Sequence, residues 1–465
     1  MKYVLVATAA LILAGCAVGP NYKRPAVELP GQFRGASEQA AIEVSIADTK
    51  WADLFHDQVL RQLVETALKQ NFDLQIAAER VQQARAQLDS RRANLFPFLS
   101  GQAQWNATRA STVGSLPFVS EGADLSYAYS QAGIGASWEL DLWGRLRRLN
   151  ESARAQYLAA GENQLAVRMS LVAEVMNTYF SLLEQDRELS IGRKTREIAE
   201  DGLRLTSLRH DRGASTGLDV QQANQLLYTA TAQIAAAERN IAQTENALSL
   251  LLGQAPGDIA RGGVLEQIAR PSELPAGMPA SLLTRRPDIR QAEQQLISAN
   301  AEIGAARAEY FPQISLNAFV GGQSRAVTEI FTSPARLATV TPAAVFPIFR
   351  AGQVRAGVRL TEAQQRETLI AYQRTIFTGL RDASDALAAN GRTREQVNQQ
   401  ERLVGALTES TRLSRLRYEG GLDSFLQVLD AERNLFQGQL VLAQLRMLEL
   451  QSVVRLYRAL GGGWQ

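Results

Sequence analysis

The pattern of apolar and polar residues changes along the chain from a helical period to a period of two and back again. Beyond Pro97 apolar side chains alternate with polar ones. The apolar set is Leu99, Gly101, Ala103, Trp105 and Ala107, and the polar set is Ser100, Gln102, Gln104, Asn106 and Thr108. A period of two predicts a β-strand with one apolar and one solvated face. We predict four such strands, at about 97–109, 125–143, 312–322 and 337–349; the fourth is interrupted by Pro342 and Pro347, which are awkward within a strand.

Long helical patterns separate these strands. They run from about Arg145 to His210 and from about Val354 to Tyr418, and each is followed by a glycine-containing turn and a return helix. At about 1.5 Å per residue such helices reach on the order of 100 Å. The first return helix has apolar residues at every seventh position, namely Val220, Leu227, Ile234, Ile241 and Leu248. This heptad spacing predicts helices packed as an antiparallel coiled coil.

The two halves of the chain resemble each other. Residues 73–103 align with residues 288–318 without a gap, and residues 204–253 align in the same way with residues 412–461. The matched pairs include Arg92/Arg307, Phe96/Phe311, Pro97/Pro312, Arg209/Arg417, Gly213/Gly421, Leu218/Leu426 and Val220/Val428. Self-similarity over this length predicts two tandem structural repeats.

The single cysteine lies at the end of a secretory pattern. Cys16 ends the run Leu13-Ala14-Gly15-Cys16, which follows a short apolar stretch and Lys2. Such a segment is too short for a permanent transmembrane helix and is typical of a signal peptide over residues 1–15. We predict a bacterial lipobox that leaves a lipid, including palmitate, on Cys16; an ordinary signal peptide with an incidental cysteine is the alternative. Ala17, which is not acidic, resembles the sorting pattern for the outer membrane.

Composition argues against two classes of function. The formal net charge is +2, so the chain lacks the concentrated positive charge of a nucleic-acid-binding protein. It has only two histidines, His56 and His210, and no metal-ligand spacing or nucleophile motif. We therefore expect neither a nucleic-acid partner nor an enzyme, and no metal or cofactor besides the covalent lipid.

The strands restrict the assembly more than any motif does. No later segment has the eighteen or so uninterrupted apolar residues of a membrane-spanning helix, so a crossing must use the strands. Four strands with open edges cannot lie in a bilayer, and a barrel with a usable bore needs about twelve. Three copies would supply twelve strands. We interpret six aromatic residues in or beside the strands as interfacial girdles, with ordinary packing in the strand core as the alternative: Trp105, Tyr127, Tyr129, Trp138, Trp143 and Phe319.

Several motifs resemble one family across the mature chain. They are CAVGPNYKRP from Cys16, WADLFHDQVLRQLVETALKQNFDL from Trp51, LPAGMPASLLTRRPDIRQAE from Leu274, ARAEYFPQIS from Ala306 and LYRALGGGW from Leu456. Together they are similar to the outer-membrane factor (TolC) family, and most of all to its lipoprotein branch, which serves resistance-nodulation-division efflux pumps.

The resemblance implies an α+β membrane protein. Its expected form is a homotrimer with a twelve-stranded β-barrel in the outer membrane, a long periplasmic α-helical barrel and a mixed equatorial domain. It implies an exit duct for drugs or other small toxic compounds in a Gram-negative bacterium, with outer-membrane lipid, a periplasmic adaptor and an inner-membrane transporter as partners. Type I protein secretion, metal-ion efflux and a scaffold lipoprotein that uses only its coiled coil are the alternatives.

The same resemblance assigns roles to residues near the two helical turns. A closed periplasmic gate would contain Leu426 as a hydrophobic plug and Asp430 as a ring of charges, with Tyr418 and Arg417 as latch residues. The first half has Gln222 where the second has Asp430. The expected adaptor-contacting tips contain Gly213, Ser215, Leu218, Gly421, Leu422 and Asp423.

These expectations divide the chain into six segments. They are the signal peptide at 1–15, the lipidated N-terminus and equatorial segment at 16–72, the first repeat at 73–253, an equatorial linker at 254–287, the second repeat at 288–461, and a C-terminal tail at 462–465.

Overall fold

The computed structural model describes residues 17–35, 45–109, 126–269 and 274–463. Within these ranges the chain forms eight α-helices and four β-strands. In chain order they are α1 Gln58–Gln70, α2 Phe72–Ala93, β1 Phe98–Arg109, β2 Ser126–Leu140, α3 Arg145–Asp211, α4 Gly217–Leu251, α5 Leu282–Arg285, α6 Pro287–Ala308, β3 Gln313–Ser324, β4 Arg336–Val345, α7 Gln353–Glu419 and α8 Phe425–Ala459.

Two compact units divide the chain. One comprises Met1–Pro25, Gln82–Ala159 and Glu293–Ala371, and it contains the four strands. The other comprises Ala26–Val81, Ala160–Ala292 and Tyr372–Gln465, and it contains both turns between long helices. We call them the sheet unit and the helical unit.

The four strands form one antiparallel sheet in the order β1-β2-β3-β4. Gln104 lies opposite Gln131, Ala136 opposite Ala318, and Asn317 opposite Thr341. Pro342 lies within β4. A proline is tolerated there because β4 is at the edge of the sheet. The prediction of four strands is confirmed within the described residues.

Three strand ends differ from the prediction by two residues or more. β2 ends at Leu140 rather than at residue 143 because Asp141 leaves the strand and accepts hydrogen bonds from the N–H groups of Leu146 and Arg147 at the start of α3 (3.1 and 2.9 Å). β4 ends at Val345 rather than at residue 349. Pro347 has no N–H for the ladder, and the Ile348 N–H donates to the Phe346 carbonyl instead (3.0 Å). β3 continues to Ser324, and residue 125 lies outside the described ranges.

Corresponding helices of the two halves have equal lengths. Helices α2 and α6 each have 22 residues, α3 and α7 each have 67, and α4 and α8 each have 35. Both 67-residue helices extend to within one residue of the bounds that their periodicity predicts. No helix in the described part of the chain carries an apolar stretch of the length that a bilayer crossing requires.

The segments expected to form the equatorial domain contact one another and the end of α8 in the helical unit. The Ile46 N–H donates to the Pro275 carbonyl (2.9 Å), and the Tyr457 hydroxyl donates to the Thr49 carbonyl (2.7 Å). Asp57 begins α1 by accepting from the N–H groups of Val59 and Leu60, and it also accepts from the Tyr179 hydroxyl (2.8 Å). Burial raises the pKa of Tyr179. The hydroxyl of Tyr179 therefore stays protonated and joins α3 to the start of α1.

Candidate functional site

The two faces of the sheet differ in chemistry. Residues that lie opposite each other in neighbouring strands point to the same face. One face has an exposed apolar surface that includes Leu99, Trp105, Ile134, Val320 and Val340. The other face has mainly serine, threonine, asparagine and glutamine, including Ser100, Gln102, Gln104, Asn106, Gln131, Asn317 and Thr341.

Side-chain hydrogen bonds cross the polar face. The Gln104 amide donates to the Gln131 amide oxygen (2.8 Å), and the Asn106 amide donates to the Tyr129 hydroxyl (3.1 Å). Glu139 is the only charged residue on this face within the four strands, and it forms a salt bridge of 2.7 Å with Arg145. The polar face thus carries almost no net charge. Water would contact it mainly through the amide and hydroxyl groups of its side chains.

Three of the six aromatic residues assigned to interfacial girdles are on the polar face, so that interpretation is wrong for them. Tyr127 and Tyr129 stack with ring centroids 6.5 Å apart, and Tyr129 lies opposite Asn106. Phe319 shares the face of Ser315 and Asn317, and its ring covers two glycines, Gly133 and Gly321. A β-carbon on either glycine would lie less than 3 Å from the Phe319 ring. Phe319 therefore fills space within the sheet unit.

The turn between α3 and α4 is held by its own hydrogen bonds. Gly213 has φ +73°, and the N–H groups of Gly213 and Ala214 donate to the carbonyls of His210 and Arg209 (2.9 and 2.8 Å). Such a helix end requires a residue in the left-handed backbone conformation, which glycine adopts without strain. Thr216 and Asp219 form a reciprocal capping box at the start of α4. The hydrogen bonds from Thr216 lower the pKa of Asp219.

The turn between α7 and α8 has the same backbone form but different side-chain contacts. Gly421 has φ +71°, and the Leu422 N–H donates to the Arg417 carbonyl (2.9 Å). Ser424 makes no side-chain cap, and a bidentate pair between Arg417 and Asp423 (2.7 and 3.0 Å) spans the turn instead. The hydrogen bonds from Arg417 lower the pKa of Asp423.

The expected gate residues lie on the first turns of α8. Leu426 is 47% exposed, whereas its neighbours Phe425 and Leu429 are buried. The buried residues pack with Ala199 of α3 and with Ala223 and Leu226 of α4. Leu426 and Asp430 are one helical turn apart on the exposed side of α8. In the described chain, this arrangement leaves the Leu426 side chain free to contact another molecule.

The expected latch residues make specific contacts, and so do two arginines to which the sequence assigns no role. The Tyr418 ring lies 5.2 Å from the Phe425 ring, and the guanidinium of Arg209 stacks over Tyr418. Arg433 donates to Asp430 at 2.5 Å. The spacing D-x-x-R on a helix predicts the second pair, because residues three apart are neighbours on the helix surface. The Arg209–Tyr418 contact joins distant parts of the chain, and no local pattern indicates it.

The expected lipidation residue, Cys16, lies outside the described residues, but the segment that follows it is firmly held in the sheet unit. The Val18 N–H donates to the Trp143 carbonyl (3.0 Å), and Arg24 forms a bidentate pair with Glu293 on α6 (2.6 Å for both contacts). A β-carbon on Gly19 would lie 2.4 Å from the Gly304 α-carbon. Ala17, the first described residue, lies against Gly144 between β2 and α3.

No group of three or more histidine, cysteine, aspartate or glutamate side chains is placed to hold a metal ion in the described part of the chain.

Comparison with known sequences finds one family over most of the chain. The family described as outer membrane efflux protein matches residues 63–254 and 278–462. The solvent efflux pump outer membrane protein SrpC of Pseudomonas putida is 39% identical over 463 residues, which cover 98% of this chain and 97% of that protein. The cation efflux system protein CusC of Escherichia coli is 34% identical over 459 residues, which cover 98% of this chain and 97% of that protein.

Comparison with solved structures finds the same architecture. The outer-membrane channel OprN superposes with a TM-score of 0.88 at 30% sequence identity, covering 97% of this chain and 100% of that one. The likeness extends over both units of the chain.

Proposed function

The chain belongs to the outer membrane efflux protein family, and from this membership we propose that it is the exit duct of a tripartite efflux pump. The observation that carries the proposal is the sheet with one apolar face and one neutral polar face. The apolar face suits contact with lipid, and the polar face suits a water-filled passage. The family comprises efflux channels, not enzymes.

The assembly we propose is a homotrimer with a twelve-stranded barrel. In a bilayer every strand edge must find a hydrogen-bonding partner, because the hydrocarbon offers none. Three copies of the four-stranded sheet close a ring of twelve strands, and an even number of strands per copy keeps all neighbours antiparallel. The equal helix lengths in the two halves support two tandem repeats that alternate around a helical barrel.

The cargo we propose is a small toxic compound such as an organic solvent or a drug. SrpC is named a solvent efflux protein and CusC a cation efflux protein, so one architecture serves chemically different cargo. The neutral polar face has no charge pattern that selects among them. Selection would therefore belong to the inner-membrane transporter and the adaptor.

The periplasmic gate we propose uses Leu426 and Asp430 of each copy. Threefold symmetry would turn one exposed leucine into a hydrophobic constriction and one carboxylate into a ring that attracts cations. Tyr418 and Arg417 would hold the tips in the closed state, since each already bonds within the tip region.

Adaptor contact would occur at the two turns, through Gly213, Ser215 and Leu218 and through Gly421, Leu422 and Asp423. Leu218 and Leu422 are both largely exposed, which supports a docking surface with an apolar component. Replacing both leucines with alanine should weaken co-purification of the adaptor without changing the assembly of the duct.

A lipid on Cys16 would attach beside the sheet. Ala17 lies against Gly144 between β2 and α3, so a lipid on the preceding residue would start near the membrane side of the chain. Mass spectrometry of the mature N-terminus tests this, and an unmodified Cys16 would contradict it.

Single-channel conductance of the purified protein in planar bilayers tests the duct and the gate together. We expect a small conductance that rises in the double variant Leu426→Ala, Asp430→Ala. The matched control is Leu218→Ala, Gln222→Ala, the aligned pair in the first half, which should leave the conductance unchanged. Equal conductance in all three proteins would contradict the proposed gate but leave the proposed duct standing. If none of them inserts into the bilayer, the duct proposal fails.

A further inference from the structure

The sheet has two open edges, β1 and β4, and both can be followed to the same end of the sheet. Within the described residues β1 pairs only with β2, and β4 pairs only with β3. β1 begins at Phe98 where the chain leaves α2, and β4 ends at Val345 where the chain approaches α7. We call this end of the sheet the helical rim. When two sheets join edge to edge in an antiparallel pair, the helical rims of β4 and β1 come together.

A strongly apolar segment follows β4 at this rim. Phe346, Ile348 and Phe349 are 63%, 93% and 85% exposed. Their backbone has a defined form, since the Ile348 N–H donates to the Phe346 carbonyl and the Gln353 N–H donates to the Arg350 carbonyl (3.0 and 2.9 Å). Ala351, a non-glycine residue, has φ +46° in the turn that follows. Nothing in the described part of the chain covers these three large apolar side chains.

A cavity of about 610 Å³ lies beside the other edge at the same rim. Phe96, Phe98 and Leu99 contribute its apolar wall, and Ser137, Glu139 and Leu146 lie on the side of β2 and α3. Glu139 is already paired with Arg145, so its carboxylate does not need a charged partner from outside. Phe96, Phe98 and Leu99 are all largely exposed. The cavity therefore suits neutral, apolar side chains.

We infer that Phe346–Phe349 of one copy occupies the cavity beside Phe96–Leu99 of a second copy. β4 has 10 residues and β1 has 12, so pairing along their lengths brings the segment after Val345 beside the residues that open β1. Another copy explains this surface better than lipid does, because the apolar segment continues directly from an edge strand whose N–H and C=O groups lipid cannot satisfy. The inference rests on the proposed trimer and adds the side chains that hold its copies together.

Cross-linking tests the pairing directly. The sequence has a single cysteine, Cys16, whose thiol the proposed lipid consumes, so introduced thiols report on their own positions. The double variant Phe98→Cys, Ile348→Cys, kept in native membranes and treated with a short bismaleimide, should give covalent dimers and trimers and no larger species. Each single variant should stay monomeric on a denaturing gel. The control pair Phe98→Cys, Phe331→Cys uses an equally exposed residue from the connection between β3 and β4, and it should not cross-link.

Thermal dissociation of the native oligomer gives a second measurement. Phe349→Ala should lower the temperature at which trimers dissociate in detergent by several degrees, and Phe331→Ala should leave it unchanged. An intact trimer without cross-links, or equal behaviour of the two alanine variants, would overturn the inference and favour a lipid-covered segment. A wild-type protein that is monomeric in native membranes would instead show that the proposed trimer itself is wrong.

Discussion

The guanidinium carbon of Arg209 lies 4.5 Å from the centre of the Tyr418 ring, which joins the end of α3 to the end of α7. The sequence alignment of the two halves pairs Arg209 with Arg417. The two arginines nevertheless make different contacts, because Arg417 bonds to Asp423 within its own turn. The two tips are thus linked through one residue of each half, with the cation contributed by the first and the aromatic ring by the second.

Replacing Arg209 should loosen the proposed closed gate. A cation–π contact at a partly exposed site contributes about 0.5–1 kcal/mol, which corresponds to a two- to fivefold change in an equilibrium constant. We expect Arg209→Ala to raise the open probability of single channels about two- to fivefold. Arg204→Ala is the matched control, since Arg204 is on the same helix and, among the described residues, pairs only with its neighbour Asp201. Equal effects of the two substitutions would exclude a specific latch at Tyr418.

Substitutions of Asp430 and of Arg433 should change the ion selectivity of the channel in opposite directions. Arg433 is within 2.5 Å of the Asp430 carboxylate and offsets part of its charge. In a symmetric gate Asp430→Asn removes the negative ring and should lower the preference for cations, whereas Arg433→Ala leaves the ring uncompensated and should raise it. Reversal potentials in a salt gradient measure both effects. Shifts of the same sign would show that Asp430 does not face the ion path.

The fold was largely predictable because its periods are long and regular. Alternation predicted the two faces of the sheet, and the 67-residue helices follow unbroken helical patterns. Phe319 is an exception to the girdle interpretation. Counting from Gln313 by twos places Phe319 on the polar face, so its position in the strand outweighs its aromatic character. The early end of β4 was also visible in Pro347, which cannot donate to the ladder.

The candidate gate was less predictable. The sequence could not tell which side of α8 is covered, because Phe425, Leu426 and Leu429 are all apolar. Packing against Ala199 and Ala223 decides this, and those alanines are more than 200 residues away along the chain. The capping box at Thr216 and Asp219 was readable as T-x-x-D, whereas the Arg209–Tyr418 contact needed the tertiary structure.

Glu184 should make the stability of the helical unit depend on pH. Burial, with a further contribution from neighbouring Glu188, raises the pKa of Glu184 from 4.5 to about 8. The folded state therefore holds a proton that the unfolded state releases. The contribution of Glu184 to stability is fully present below about pH 4.5 and is lost as the pH rises through about 8.

Glu184→Gln should remove this dependence because glutamine imitates the protonated carboxyl. We expect its melting temperature, followed by circular dichroism in detergent, to exceed that of the wild type by a few degrees at about pH 9 and to match it at about pH 5. Glu197→Gln, at an exposed position on the same helix, is the control. A difference between Glu184→Gln and the wild type that is the same at both pH values would contradict the titration of Glu184.

Gly304 should be required for the N-terminal segment to lie on α6. A β-carbon at this position would be 2.7 Å from the Val18 carbonyl oxygen and 2.9 Å from the Arg148 side chain. Gly304→Ala must therefore displace Val18 or Arg148, and crowding of this kind costs about 1–3 kcal/mol. The same displacement would strain the pairs from Arg148 to Asn21 and from Arg24 to Glu293, so we expect faster proteolysis after Arg24 as well as a lower melting temperature.

A second glycine separates this steric effect from the general effect of alanine in a helix. Gly391 lies within α7, is exposed, and has no atom within 4 Å of the position that a β-carbon would take. Gly391→Ala should therefore stabilise the helix by about 0.5–1 kcal/mol, because alanine loses less backbone entropy than glycine on folding. The two variants are thus expected to shift the melting temperature in opposite directions. If Gly304→Ala also stabilises the protein and leaves proteolysis unchanged, the segment from Ala17 to Pro25 does not lie against α6.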